Sequence, residues 1–221
     1  MSFDRERVET PDGDFVDADW SRVGSKKILL ALHGLEGSSN SQYILGLTRL
    51  FNEKGWDVLA INFRGCSGKP NKKLQSYHMA ATADLSQLVD LCLDRGYRRI
   101  ALAGFSLGGN VVLRYLGEHG PDLSPQIKAA VAVSVPVDLP PAVKALHNWQ
   151  NFLYMKNFVL DLNKKVKAKE QLLKENNFST IYPKRLIDFD EQYTAPVHGF
   201  KDATDYYQRA SSLPLIPNIR I

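Results

Sequence analysis

The chain has little that would cross-link it, hold a metal or cross a membrane. It contains 2 cysteines among 221 residues, Cys66 and Cys92, and their spacing fits neither a disulfide framework nor a metal site. Two free thiols favour a reducing compartment. The apolar stretches fall far short of the roughly 18 residues that a membrane-spanning helix needs. We therefore expect no metal, no cofactor and no integral membrane segment.

A strong excess of charge of one sign is also missing. The formal net charge is +4, because 28 basic residues are mixed with 24 acidic residues along most of the chain. There is no arginine-rich block and no interleaving of basic with aromatic residues, so a nucleic-acid partner is not expected. Residues 1–7 are too highly charged to open a secretory signal. These features predict a cytoplasmic protein, and the length fits one domain.

The most informative segment is the pentapeptide Gly104-Phe105-Ser106-Leu107-Gly108. It follows a short apolar stretch of strand type, residues 99–103, and precedes a segment with apolar residues at the spacing of one helix face. A serine between two glycines at such a junction is typical of a nucleophile elbow, a sharp turn that exposes the serine Oγ above a helix N-terminus. We expect only glycine to fit at positions 104 and 108. The alternative is a glycine-rich loop in which the serine has no chemical role.

A second segment supports the elbow interpretation. An apolar strand predicted over residues 27–32 ends in His33-Gly34-Leu35-Glu36-Gly37. In α/β-hydrolases, a loop with this His-Gly pattern supplies one backbone N–H to the oxyanion hole, and the residue after the nucleophile supplies the other. The predicted donors are therefore the amides of Leu35 and Leu107. The His33 side chain is expected to shape the loop through hydrogen bonds rather than to act as the catalytic base.

Strand and helix patterns alternate along the first part of the chain. A hairpin with its turn at Asp12-Gly13 comes first, and buried strands are predicted over residues 27–32, 56–63, 99–103 and 129–135. Short connections between strands and helices favour a doubly wound, mostly parallel sheet. Binding sites in such sheets lie at the carboxyl ends of the strands. The residues expected at that edge are His33, Arg64, Ser106 and Asp138.

The pattern becomes helical after the two prolines at 140 and 141. We interpret residues 140–200 as a helical cap inserted between a sheet core over 1–139 and a return to the core over 201–221. The aromatic and apolar residues Trp149, Phe152 and Leu153, with Tyr154 and Phe158 nearby, either line an acyl pocket or pack the cap on the sheet. Four lysines, at 164, 165, 167 and 169, could meet an anionic membrane, but nearby glutamates favour a solvated helix face.

Four segments resemble the YheT-like α/β-hydrolase family and occur in its order. They are HGLEGSSNSQY (33–43), NFRGCSG (62–68), GFSLGGN (104–110) and APVHGFKDATDYYQRAS (195–211). The resemblance implies the α/β-hydrolase fold and a serine hydrolase of carboxylic esters, with medium-chain or lipid acyl esters as substrates. It places the nucleophile at Ser106 and the oxyanion hole at Leu35 and Leu107. The family's triad runs in the order Ser, Asp, His.

The chain departs from the family pattern at its end. The family places its acid after the next sheet strand and its histidine later still, whereas residues 217–221 resemble only the opening of that strand. We therefore expect the fold to be C-terminally incomplete, with the acid and the base beyond Ile221. A sheet that ends in this way predicts an exposed edge and possible self-association.

An alternative hypothesis completes the triad within the chain. Asp138, which follows the strand after the elbow, would be the acid, and His198 would be the base. Otherwise Asp138 begins the cap and His198 packs structurally. Two further functions stay open at this point: an acyltransferase on the same scaffold, in which an alcohol replaces water, and a non-catalytic protein that binds acyl ligands.

Overall fold

A mostly parallel sheet of six strands forms the centre of the protein. The computed structural model describes residues 2–179 and 181–221. The strands are β1 (Asp4–Glu9), β2 (Phe15–Ser21), β3 (Lys27–Leu32), β4 (Asp57–Asn62), β5 (Arg99–Phe105) and β6 (Ile127–Val133). Their order across the sheet is β1-β2-β4-β3-β5-β6. β2 runs antiparallel to β1 and β4, whereas β4, β3, β5 and β6 are parallel.

Helices cover both faces of the central strands. They are α1 (Gln42–Glu53), α2 (Thr82–Asp94) and α3 (Leu107–His119). Leu30 and Leu32 of β3 pack with residues of α2 and α3, and Leu29 and Ala31 pack with Ile44 of α1. Because both faces of the parallel strands are covered, β3 and β4 are continuous apolar runs rather than alternating ones. The helix face expected after the pentapeptide is confirmed, because Val112, Tyr115 and Leu116 of α3 are buried.

β6 corrects one prediction. The sequence predicts a buried strand over residues 129–135, but β6 spans Ile127–Val133 and alternate side chains are exposed, Val131 by 58% and Val133 by 39%. Among the described residues, β6 pairs only with β5, so it lies at the edge of the sheet. The apolar composition of β6 is typical of a buried strand, but one face of this edge strand is exposed.

The C-terminal segment corrects a second prediction. Residues 217–221 do not open a strand, because Leu213–Asn218 form a 3₁₀ helix. Pro214 and Pro217 lack the N–H groups that a strand ladder would use. The 3₁₀ helix lies against α3 so closely that a Cβ on Gly117 would be 2.4 Å from the carbonyl oxygen of Leu215.

The segment between β6 and the C-terminal 3₁₀ helix is helical. It contains α4 (Leu139–Leu146), α5 (Phe152–Ala168), α6 (Glu170–Glu175), α7 (Leu186–Phe189), α8 (Ala195–Val197) and α9 (Ala203–Ala210), with a π-helical turn over Asp190–Thr194. α5 buries Met155, Val159, Leu162 and Val166, which pack with Leu186 and Phe189 of α7. The division into core, cap and return at residues 139 and 200 stays a prediction.

Candidate active site

Ser106 lies at the turn between β5 and α3. Its backbone has φ 50° and ψ −116°, in a region that residues with a Cβ rarely adopt. Two backbone hydrogen bonds hold this conformation: the Ser106 N–H donates to the Val133 oxygen at 2.8 Å, and the Ser106 oxygen accepts from the Asn110 N–H at 3.1 Å. The side chain is half-buried. This is the geometry of the predicted nucleophile elbow.

The flanking glycines are required by close packing. A Cβ on Gly104 would lie 2.3 Å from the carbonyl oxygen of Gly108. A Cβ on Gly108 would lie 2.5 Å from the carbonyl oxygen of His33. Both distances are far below van der Waals contact, so neither position accepts a side chain without movement of backbone. The glycine pattern is therefore explained by contact between β5, α3 and the loop after β3.

His33 holds that loop in place with both ring nitrogens. The ring is fully buried; Nδ1 lies 2.7 Å from the Gly34 oxygen, and the Phe63 N–H donates to Nε2 at 3.2 Å. These bonds require a neutral ring with its proton on Nδ1. Burial lowers the pKa of His33 to about 4, which keeps the ring neutral at ordinary pH. Since both nitrogens are occupied, His33 is not available as a base, in agreement with its expected role.

Two backbone amides are positioned beside Ser106 without a protein acceptor. The loop passes close to the serine, because a Cβ on Gly34 would lie 3.3 Å from Ser106 Cβ. The Gly34 N–H donates to Tyr43 Oη and the Glu36 N–H donates to Tyr77 Oη. Within residues 2–179 and 181–221, the N–H groups of Leu35 and Leu107 donate to no other group. Two unsatisfied amides beside a serine are the arrangement that an oxyanion hole requires.

Ser106, Leu35 and Leu107 line a cavity of about 880 Å³ beneath the helical segment. Much of its remaining wall is apolar and includes Tyr154, Phe158 and Leu162 of α5. A cavity of this size with a largely apolar wall is typical of small-molecule binding sites.

The other predicted members of the aromatic stripe lie elsewhere, which corrects the expectation for them. Trp149 is 84% exposed, Phe152 54% and Leu153 74%, so they neither line the cavity nor pack the cap on the sheet. The buried stripe of α5 starts instead at Met155 and continues at Val159, Leu162 and Val166.

The residues of the in-chain triad hypothesis are not joined to Ser106. Asp138 occupies the N-cap position of α4, and the His198 ring lies against His78 with 4.4 Å between ring centroids and 54° between the ring planes. Neither Asp138 nor His198 hydrogen-bonds to Ser106 in the described part of the chain. His198 Nε2 is buried without a partner, and burial, with the nearby charge of Lys169, lowers the pKa of His198 to about 4. His78 lines the cavity that contains Ser106.

A family model described as the alpha/beta hydrolase fold matches residues 27–203 of the chain. This protein belongs to that family. It is 37% identical to YheT of Escherichia coli (strain K12), over 97% of this chain and 65% of YheT, which confirms the resemblance seen in the sequence. It is 29% identical to the monoacylglycerol lipase of Saccharomyces cerevisiae (strain ATCC 204508 / S288c), over 96% of this chain and 48% of the lipase. The chain therefore spans from about half to about two thirds of these relatives.

A solved structure supports the same fold. The esterase Pf2001 of Pyrococcus furiosus superposes with a TM-score of 0.56 at 20% identity, covering 99% of this chain and 80% of the esterase. The expected α/β-hydrolase fold is thus confirmed. Within the described residues, no helix is both long and apolar enough to cross a bilayer. The same part of the chain contains no cluster of three or more His, Cys, Asp or Glu side chains that could hold a metal.

Two polar groups near the turn at Ser106 were missed by sequence reasoning. Asn110, fully buried on α3, donates to the oxygens of Met79 and Ala210 and accepts from the Ser212 N–H. It therefore links the elbow helix to two segments that are distant in the chain. The GGN tripeptide contains Asn110, but its partners are set by the tertiary fold and have no local signal.

The second missed group joins the loop after β3 to α5. Tyr77 Oη donates to Glu36 Oε1 at 2.5 Å, and Lys165 Nζ lies 2.8 Å from the same carboxylate oxygen and 3.0 Å from Cys66 Sγ. Glu36 has a positive φ of 56°, so the loop turns sharply at this residue. The cluster fixes the loop directly after Leu35, one of the two unsatisfied amides.

Proposed function

We propose that this chain carries the nucleophile and the oxyanion hole of a serine hydrolase acting on medium-chain or lipid acyl esters. The observation that supports this most is the conformation of Ser106, held at positive φ beside the unsatisfied amides of Leu35 and Leu107. Ser106 Oγ attacks the ester carbonyl, and the two amides stabilise the negative oxygen that forms. The alcohol leaves, an acyl-enzyme remains on Ser106, and water releases the acid.

The cavity supports the substrate class. Apolar side chains of α5, including Phe158 and Leu162, line the same cavity as Ser106 and provide a surface for an acyl chain. A relative named monoacylglycerol lipase is consistent with a lipid ester. Each oxyanion-hole donor contributes on the order of 10²–10³ in rate in enzymes of this type, so the two amides are substantial parts of the proposed mechanism.

The proposal also requires a base, because a serine hydroxyl is a weak nucleophile until a neighbour accepts its proton. Imidazoles in the described residues do not hydrogen-bond to Ser106. In the hypothesis of an in-chain triad, the His198 ring would have to move away from His78 to reach Ser106, and Asp138 would have to hydrogen-bond to His198.

Labelling with a fluorophosphonate probe tests the nucleophile. Intact-mass spectrometry of the folded chain should show a single adduct that is lost in Ser106→Ala. Ser134→Ala is the matched control, because Ser134 lines the same cavity and also has a positive φ, of 52°. An adduct that persists in Ser106→Ala, or no adduct on a folded chain, would contradict an activated Ser106 within these residues.

Two more measurements define the chemistry. His198→Ala, compared with His119→Ala, tests the in-chain base: retained labelling in His198→Ala rejects that triad. If octanoyl esters turn over, mass spectrometry of the products in the presence of ethanol distinguishes hydrolysis, which gives octanoic acid, from acyl transfer, which gives the ethyl ester.

A further inference from the structure

The cavity that contains Ser106 has a cationic wall. Its lining includes four lysines, at 69, 164, 165 and 169, against the three acidic residues Glu36, Asp161 and Asp190. Two lysines are matched by carboxylates: Lys164 lies 2.7 Å from Asp161 and Lys165 lies 2.8 Å from Glu36. The charges of these pairs largely cancel. Of the other two lysines, Lys69 is exposed to solvent and Lys169 is buried in the wall.

Asp190 does not compensate Lys169. Both of its carboxyl oxygens already accept hydrogen bonds, one from Thr194 Oγ1 and one from Tyr207 Oη, each at 2.7 Å. Burial raises the pKa of Asp190 to about 6, so this carboxyl becomes neutral as the pH falls below that value.

Lys169 differs from the solvated residue that the sequence predicts. Its side chain is almost completely buried, with 4% of the residue exposed. The ammonium group has three N–H donors, and within residues 2–179 and 181–221 its one acceptor is the Leu74 oxygen, at 3.2 Å. No carboxylate of the described residues lies within 4 Å of Lys169 Nζ. Burial lowers the pKa of Lys169 to about 8, so the group remains largely protonated at neutral pH.

The surroundings of Lys169 are positive as well. The positive charges of Lys165 and Arg64 lower the pKa of Lys169, and the negative charge of Asp14 raises it. Asp14 is already occupied, because it accepts from the N–H groups of Phe15 and Lys72 and from Asn71 Nδ2. A buried cation with unused donors and cationic neighbours is unfavourable in an empty site and becomes favourable when an anion binds.

We propose that the ester bound in this cavity carries an anionic group, a phosphate or a carboxylate, that binds to Lys169. This inference rests on the proposed function, because it assigns a second part of the substrate to the site at Ser106. Lys169 joins α5 to α6, so the anionic group lies at the end of the cavity formed by this junction. Lysine only donates hydrogen bonds, and a neutral glycerol head group would leave its charge uncompensated.

Isothermal titration calorimetry tests the proposal in the Ser106→Ala background, where turnover does not interfere. The ligands are 1-octanoylglycerol and 1-octanoylglycerol 3-phosphate, which differ only in the anionic group, with inorganic phosphate as a third ligand. A charged hydrogen bond predicts that the phosphate ester binds roughly tenfold or more tightly than the neutral ester. Lys169→Met should bring the two affinities together. Lys167→Met, an exposed lysine of the same helix outside the cavity lining, should leave their ratio unchanged.

Three outcomes would overturn the proposal. Equal affinity for the two esters in Ser106→Ala does so without any lysine variant and thus independently of how Lys169→Met folds. An unchanged ratio in a folded Lys169→Met also does so. Inorganic phosphate binding as tightly as the phosphate ester would indicate a general anion site instead of a substrate subsite. Fluorophosphonate labelling of Ser106 is measured separately, so failure of the nucleophile and failure of the anion subsite give different results.

Discussion

His33 should make the stability of the protein depend on pH. Its ring is buried and neutral, and its pKa falls from 6.5 in the unfolded chain to about 4 in the fold because of burial. The unfolded chain therefore takes up a proton below pH 6.5 that the folded protein resists. The contribution to stability is fully present above pH 6.5 and is lost as the pH falls toward 4. Between pH 7.5 and pH 5, His33 alone should lower the free energy of unfolding by about 2 kcal/mol.

The variant His33→Gln isolates this effect. Glutamine can still accept a hydrogen bond from the Phe63 N–H, but it does not titrate and does not reproduce the donation to the Gly34 oxygen. At pH 7.5 we expect the variant to be less stable by roughly 1–3 kcal/mol, because the buried Gly34 oxygen keeps the Gly37 N–H but loses the imidazole donor, and the packing of the His33 ring on Phe63 is lost. As the pH falls, the wild type should lose stability faster than the variant, so the difference between them should shrink by about 2 kcal/mol at pH 5.

Urea unfolding followed by circular dichroism at pH 7.5, 6 and 5 measures both curves. His198 has a pKa lowered to about 4 and Asp190 a pKa raised to about 6, but both are present in the wild type and the variant, so they cancel in the difference. His119→Gln serves as the control, since its ring bonds only to the Tyr115 oxygen on the same helix. A difference between wild type and His33→Gln that stays constant with pH would refute the assignment of a buried neutral ring.

Three other substitutions test packing, two of them at the elbow and one at an exposed ring of the helical segment. Gly108→Ala should destabilise the protein by about 3 kcal/mol or more in urea unfolding, since its Cβ would lie 2.5 Å from the His33 oxygen, whereas Gly46→Ala, with open space around it, should be neutral or stabilising. Equal effects of the two would contradict the close contact. Asn110→Ala should cost about 2–4 kcal/mol in the same assay by leaving two buried carbonyls without a donor, and a loss below 1 kcal/mol would show that they find other partners. Trp149→Ser should change the free energy of unfolding by less than about 0.5 kcal/mol, because the ring is 84% exposed, and a larger loss would place it in a packed position.

The parts of the structure that the sequence predicts correctly are those determined by local pattern. Apolar runs identify β3, β4 and β5, and the glycines at 104 and 108 on either side of Ser106 identify the elbow. Gly104 is required by a contact within the strand–turn–helix unit, whereas Gly108 is required by a contact with His33 of the neighbouring loop. The exposure of β6 was not predictable in this way, since it depends on which strand lies beside it. The 3₁₀ helix at Leu213–Asn218 is likewise stabilised by its contact with α3.

Helical periodicity alone does not show which apolar face of the segment around α5 is buried. Two stripes compete there: one through Trp149, Phe152 and Leu153, and one through Met155, Val159, Leu162 and Val166. The second is longer and becomes buried, which turns the first toward solvent. The same rotation brings Lys165 and Lys169, one helical turn apart, to the inner face, while the side chain of Lys164 is 77% exposed although it also borders the cavity. A charge pattern does not reveal this orientation, because the direction of the helix is fixed by packing on α7.

At Ser106, the requirements of stability and of the proposed chemistry conflict. The positive φ lowers the stability of the protein, whereas the proposed reaction needs the serine hydroxyl. A non-glycine residue in this region costs on the order of 1 kcal/mol or more, and glycine would relieve that cost while removing the hydroxyl. Ser106→Gly should therefore have a larger free energy of unfolding than Ser106→Ala, although both variants lack the proposed nucleophile. A search for thermostable variants that does not measure activity would therefore select glycine at this position, and the selected protein would lack the proposed nucleophile.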